Sequence, residues 1–189
     1  MKKFLLLIIT VIAFNFATAQ EHMRFKGIEM NGSLTSFVSQ LQSKGMKESY
    51  AEGNIAKLSG DFASYHDCTI VVIANNNDNV VKVDVKFPYQ TTWSLLYNNY
   101  SNIKDMLIMK YGKCSNSVEK WDGTYQPSDD RERMYRVQMD RCKYVSKWET
   151  ENGDIELTIS HNNNLCYITL SYFDKQNQAQ TIQNAIDDL

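Results

Sequence analysis

One pattern occurs twice in this chain. Near the middle the sequence reads Ile73-Ala-Asn-Asn-Asn-Asp-Asn, then Val80 to Phe87, then a helix-like run from Thr91. Near the end it reads Ile159-Ser-His-Asn-Asn-Asn, then Leu165 to Phe173, then a helix-like run from Gln176. Each block is a strand, an Asn-rich turn, a strand ending in Phe and a helix, and the two are offset by 86 or 87 positions. Upstream, Gly60-Asp-Phe62 followed by His66-Asp67 lies over Ser146-Lys-Trp148 followed by Asn152-Gly153. A repeated unit of this size constrains the fold more than any single propensity, because both copies must bury the same faces.

The first residues are read apart from the fold. Lys2 and Lys3 precede an apolar run from Phe4 to Phe16, and Ala17-Thr18-Ala19 supplies a small-x-small cleavage site. The run is shorter than the roughly 20 apolar residues of a spanning helix. Residues 1–19 are therefore expected to be a signal peptide cleaved after Ala19, leaving residues 20–189 as a periplasmic or secreted chain with no later transmembrane segment. That mature chain has 18 basic and 22 acidic residues, a net charge of −4. Its charges are interspersed, without the basic stripe that a nucleic-acid partner requires.

Within residues 20–189 the periods are clear. Ser33 caps a helix carrying Leu34, Phe37, Val38 and Leu41, which Gly45 ends. Strands are expected at Ile55–Phe62, Cys68–Ala74 and Val80–Phe87. In the last, Val81, Val83, Val85 and Phe87 alternate with Lys82, Asp84 and Lys86, giving one buried and one wet face. Such half-exposed strands belong to antiparallel sheets. Thr91 or Thr92 caps a second helix with the stripe Trp93, Leu96, Tyr97, Tyr100, Ile103, Leu107 and Ile108, stopped at Tyr111-Gly112.

A short strand is expected at Val118–Trp121 and a long charged loop at Gly123–Arg133. Further strands are expected at Met134–Met139, Cys142–Trp148, Asp154–Ser160 and Leu165–Phe173. A last helix over Gln176–Leu189 carries Ile182, Ala185, Ile186 and Leu189 on one face. The fold class is α+β: a duplicated unit of three- to four-stranded antiparallel sheet packed with helices, in the order helix-sheet-helix-sheet-helix. It forms one domain of two repeats, about 25–110 and 111–189.

The chain lacks G-x-S-x-G, H-E-x-x-H and phosphate-cradling glycine patterns. His22, His66 and His161 fall on a terminus and two turns, and no spacing singles out a carboxylate pair. No cofactor or metal site is expected. Cys68, Cys114, Cys142 and Cys166 are candidate disulfide cysteines in an exported chain, and four cysteines allow three connectivities. If the last strands form a meander, Cys142 and Cys166 flank a third strand. They are then roughly 9–10 Å apart, beyond disulfide reach.

Eleven Tyr and three Trp suit a recognition surface. Trp121 and Tyr125, beside the charged loop, are the candidate interaction residues. The expected function is a non-enzymatic binding domain recognising a protein or envelope component. The alternative is a secreted hydrolase acting on envelope or dietary polymers.

The tandem of helix and antiparallel sheet resembles the β-lactamase-inhibitor-protein-like architecture, which includes the outer-membrane assembly lipoproteins of the SmpA/OmlA type. The likeness rests on Asn31-Gly32-Ser33-Leu34-Thr35-Ser36-Phe37-Val38 with Leu41 and Lys44-Gly45, and on Lys110-Tyr111-Gly112-Lys113. The chain also resembles small secreted proteins of Bacteroidetes-type gut bacteria. These resemblances imply a protein-binding or envelope role.

Overall fold

A computed structural model describes residues 21–124 and 126–187. The expected signal peptide and Tyr125 lie outside the described residues. A small hairpin, β1 (Arg24–Phe25) and β2 (Ile28–Glu29), precedes α1 (Leu34–Ser43). Four strands follow: β3 (Lys47–Glu52), β4 (Ile55–Phe62), β5 (Tyr65–Ala74) and β6 (Val80–Lys86). Next come α2 (Trp93–Tyr111), β7 (Asn116–Trp121) and α3 (Asp130–Gln138). The chain finishes with β8 (Cys142–Glu149), β9 (Gly153–Asn162), β10 (Leu165–Asp174) and α4 (Lys175–Asp187).

The eight long strands make one antiparallel sheet in the order β3-β4-β5-β6-β10-β9-β8-β7. Each copy therefore contributes a four-stranded meander, and the meanders join through their last strands. The joint is symmetric. With an offset of 87, Asp84 maps onto Ser171, and these two residues are directly opposite in the β6–β10 ladder. The Ser171 hydroxyl donates to Asp84 Oδ1 at 2.6 Å. The repeated residues thus meet at a pseudo-two-fold axis.

Local chemistry explains the elements. The Ser33 hydroxyl accepts from Ser36 N and that of Thr92 from Leu95 N, so each long helix begins at a satisfied cap. Gly112, at φ 82°, ends α2, and its carbonyl accepts the Trp148 indole N–H at 2.9 Å. α1 buries Leu34, Phe37, Val38 and Leu41, while α2 buries Trp93, Leu96, Tyr100, Ile103 and Leu107. Both pack on the face bearing Ala56, Leu58, Ile70, Val72, Val83, Val85, Leu170, Leu157 and Trp148 as one core.

Several expectations change. Residues 134–138 are helix and Met139 is its C-cap, not strand. α3 starts within the expected loop, where Asp129 accepts from Glu132 N at 2.8 Å and Glu132 accepts from Ser128 N at 3.1 Å. This reciprocal capping nucleates a helix. Val81 is half-buried, because a register shift between Ile73 and Ala74 brings Val80 to the core instead. Ile108 lies at the border of α2 and is 37% exposed. The apolar face expected of the last helix is not buried: Ile182 is 61% and Ile186 54% exposed, and α4 buries Asn177. β3 was not anticipated; all six of its residues are exposed, so no apolar alternation marks it.

The four cysteines are unbridged. β8, β9 and β10 form the meander that keeps Cys142 and Cys166 on strands flanking β9. Burial pushes the Cys68 thiol up to about 11 and the Cys142 thiol up to about 12.

Candidate functional site

The opposite face of the sheet contributes nothing to that core. Pairing registers define its surface in rows across the strands. The central row is Lys57, Val71, Asp84, Ser171, Glu156, Lys147 and Asn116. The next is Ser59, Thr69, Lys86, Thr169, Thr158, Val145 and Val118. This face is polar, but its middle is dense. Lys82 pairs with Asp84 at 3.0 Å, Lys147 with Glu156 at 2.5 Å, and Thr158 bonds Ser160 at 3.1 Å. The lysine ammonium groups lie over aromatic rings, Lys82 Nζ 5.1 Å from the Phe173 centroid and Lys86 Nζ 5.8 Å from that of Tyr167.

At one end of this face a hollow of about 390 Å³ is lined by Lys57, Asp67, Thr69, Lys86, Tyr89 and Tyr167, among others. Pro88 ends β6 and turns Tyr89 outward, leaving it 54% exposed. Its ring meets Tyr167 edge-on at 5.5 Å. Lys57 and Lys86 form no ion pair among the described residues, although Asp67 is nearby. Two rings, two ammonium groups, a carboxylate and a threonine hydroxyl therefore converge on open space. This is contact chemistry for a ligand with both apolar and anionic parts.

Trp121 occupies the other face. It is half-buried, 4.7 Å from Trp93 and 5.4 Å from Tyr144, in a ring cluster that also includes Tyr97 and Tyr100. The edge-to-face geometry is that of packing between α2 and the β7–β8 hairpin. Beneath it the Tyr100 hydroxyl bonds Ser146 Oγ at 2.8 Å, and Ser146 in turn bonds Ser117 Oγ at 3.0 Å. Lys104 on α2 reaches Glu119 at 2.5 Å. A hollow of about 440 Å³ opens over Trp93, Tyr97, Trp121 and Tyr144, with Asn98 and Arg133 at its margin. Burial pushes the Tyr144 hydroxyl up to about 12. Trp121 thus stabilises the second copy, with one edge left to contact.

The histidines, expected on a terminus and two turns, each meet an aspartate, and His66 and His161 lie within β5 and β9. His66 bonds Asp61 at 2.8 Å and His161 bonds Asp140 at 3.0 Å. His22 contacts both oxygens of the fully buried Asp174, at 3.2 and 3.1 Å. That carboxylate also accepts Met23 N at 2.8 Å and Asn177 N at 2.7 Å. The Asn177 side chain donates to Met30 O and Val80 O, both at 2.8 Å. Asp174 is thus the cap of α4 and ties the first hairpin to the last helix. The short-range signal for it is Asp174-Lys-Gln-Asn177; its long-range partners leave no mark in the sequence.

No family model matches the chain, and no curated protein matches it. It is similar to the crystal structure of a DUF4309 family protein, YjgB, from Bacillus subtilis. The likeness covers 82% of this chain and 88% of that one, at 11% identity and a TM-score of 0.41.

Proposed function

We propose that this is an exported, non-enzymatic binding domain of the periplasm or cell surface, which recognises a protein or envelope component through the bare face of its sheet. The observation that carries the reading is the Tyr89–Tyr167 hollow, flanked by Lys57 and Lys86 on a face left out of the core. The exposed Tyr89, set edge-on against the buried Tyr167 ring, gives contact area at low ordering cost, and lysines without ion-pair partners select for anionic groups. Export rests on the leader expected over residues 1–19. The resemblance to the β-lactamase-inhibitor-protein-like group agrees with a binding role and names no ligand.

The test is capture from envelope extract with the tagged mature chain, compared with Tyr89→Ala and with Lys57→Glu/Lys86→Glu. The expected result is a component retained by the unaltered chain and lost with either variant, at unchanged thermal stability. Retention by both variants would contradict the assignment of this face.

A further inference from the structure

The duplication leaves the sheet with two counterpart edges, β3 and β7. Unpaired N–H and C=O groups along an edge are a template for another strand, and a bulge spoils that template. β3 has such a register shift, between Glu48 and Tyr50. β7 has none: six consecutive residues pair with β8, from Asn116↔Lys147 to Trp121↔Cys142. Asp122 N donates to Arg141 O one step beyond that ladder. Alternation then turns the backbone groups of Lys120, Val118 and Asn116 toward β8 and those of Ser117, Glu119 and Trp121 outward. Four of its six residues are exposed, and Val118 and Trp121 are half-buried.

We propose that β7 pairs antiparallel with β7 of a second copy of this chain. A two-fold axis perpendicular to the sheet keeps the faces aligned, so positions of the same parity meet. In one register Val118 lies opposite Val118 of the second copy, Asn116 opposite Lys120, and Ser117 opposite Glu119. Sliding one way would place Glu119 opposite Glu119, which like-charge repulsion disfavours; sliding the other way sets Val118 opposite Asn116 and loses the contact between the two valines. Lys120, a residue that usually guards an edge, meets an amide in the first register instead of another lysine. The outward groups of Ser117 and Glu119 then exchange hydrogen bonds across the axis. The two eight-stranded sheets become one, with both bare faces on the same side. The contact is narrow, so a weak, concentration-dependent dimer is expected.

The test is light scattering across a concentration series, together with cysteine linking of two variants. Val118→Cys would place its thiols at a non-hydrogen-bonded pair with Cα atoms about 4.5 Å apart, within disulfide reach. Lys120→Cys would place them about 13 Å apart. The expected result is a mass that doubles with concentration and covalent dimer from Val118→Cys well above that from Lys120→Cys or the unaltered chain. A mass that stays monomeric to millimolar concentration overturns the proposal. So does equal linking by the two variants, which would remove the register.

Discussion

β3 and β7 occupy matching positions at the two margins of the sheet, yet the connections after them differ tenfold in length. β3 turns into β4 across Gly53 and Asn54, whereas 20 residues separate β7 from β8 and include α3. The second copy's helix face is correspondingly richer. There the Trp93–Trp121–Tyr144 rings, the Tyr100–Ser146–Ser117 hydroxyl chain and the Lys104–Glu119 pair bind α2 to the β7–β8 hairpin. In the first copy α1 packs through Leu34, Phe37, Val38 and Leu41, and the edge strand is bulged and exposed. A duplicated frame can thus keep its joint invariant, at Asp84 and Ser171, while its margins diverge in stability and in partner.

The comparison can be broken by asking whether the halves unfold together. Trp148, in the second copy, and Phe37, in the first, are buried in one core. Trp148→Ala and Phe37→Ala should each cost about 3–5 kcal/mol in denaturant unfolding. Both should move a single transition seen by every probe. Two separated transitions would show the copies to be independent domains. Asp174→Ala should follow, at about 2–4 kcal/mol, because it strands the buried donors of Met23 and Asn177. Amide exchange should then quicken first in the hairpin at residues 22–30 and in α4.

Asp129→Ala sharpens the contrast between the copies. Loss of the α3 cap should cost about 1 kcal/mol and accelerate exchange in α3, leaving β3–β6 unchanged. The smallest effect is alkaline. Under reducing conditions Cys68, Cys142 and Tyr144 hold their protons more tightly folded than unfolded, through burial. Below about pH 8.5 both states are protonated and these groups leave stability unchanged. Above it the unfolded chain releases protons first, so stability should fall as pH rises toward 11–12. A midpoint urea concentration that rises over this range would contradict the assignment.

Much of the frame was legible in the sequence because period and punctuation agreed. Ser33, Thr92 and Gly112 mark helix ends, and the Asn-rich turns separate alternating strands at the spacing of the repeat. What was missed has physical causes. Lys47–Glu52 is exposed on both faces, so burial imprints no period on it. Met134–Met139 alternates in apolarity like a strand, and the stronger signal was Asp129 with Glu132 three residues on, a cap read as loop. Of the two candidate interaction residues, Trp121 belongs to the packing of α2, and position along the chain could not distinguish that from recognition. The Tyr89–Tyr167 hollow was not foreseen, because it is assembled from β4, β5, β6 and β10 only once the joint has formed.

The central claim is that the bare face is the working surface. It is tested most directly by site-specific photo-crosslinking in cells that produce the protein, with the probe at Tyr89, 54% exposed at the hollow on the bare face, or at Met109 on the helix side, which is 80% exposed. The account predicts a discrete adduct from position 89 and none from 109. An adduct from 109 alone would contradict it.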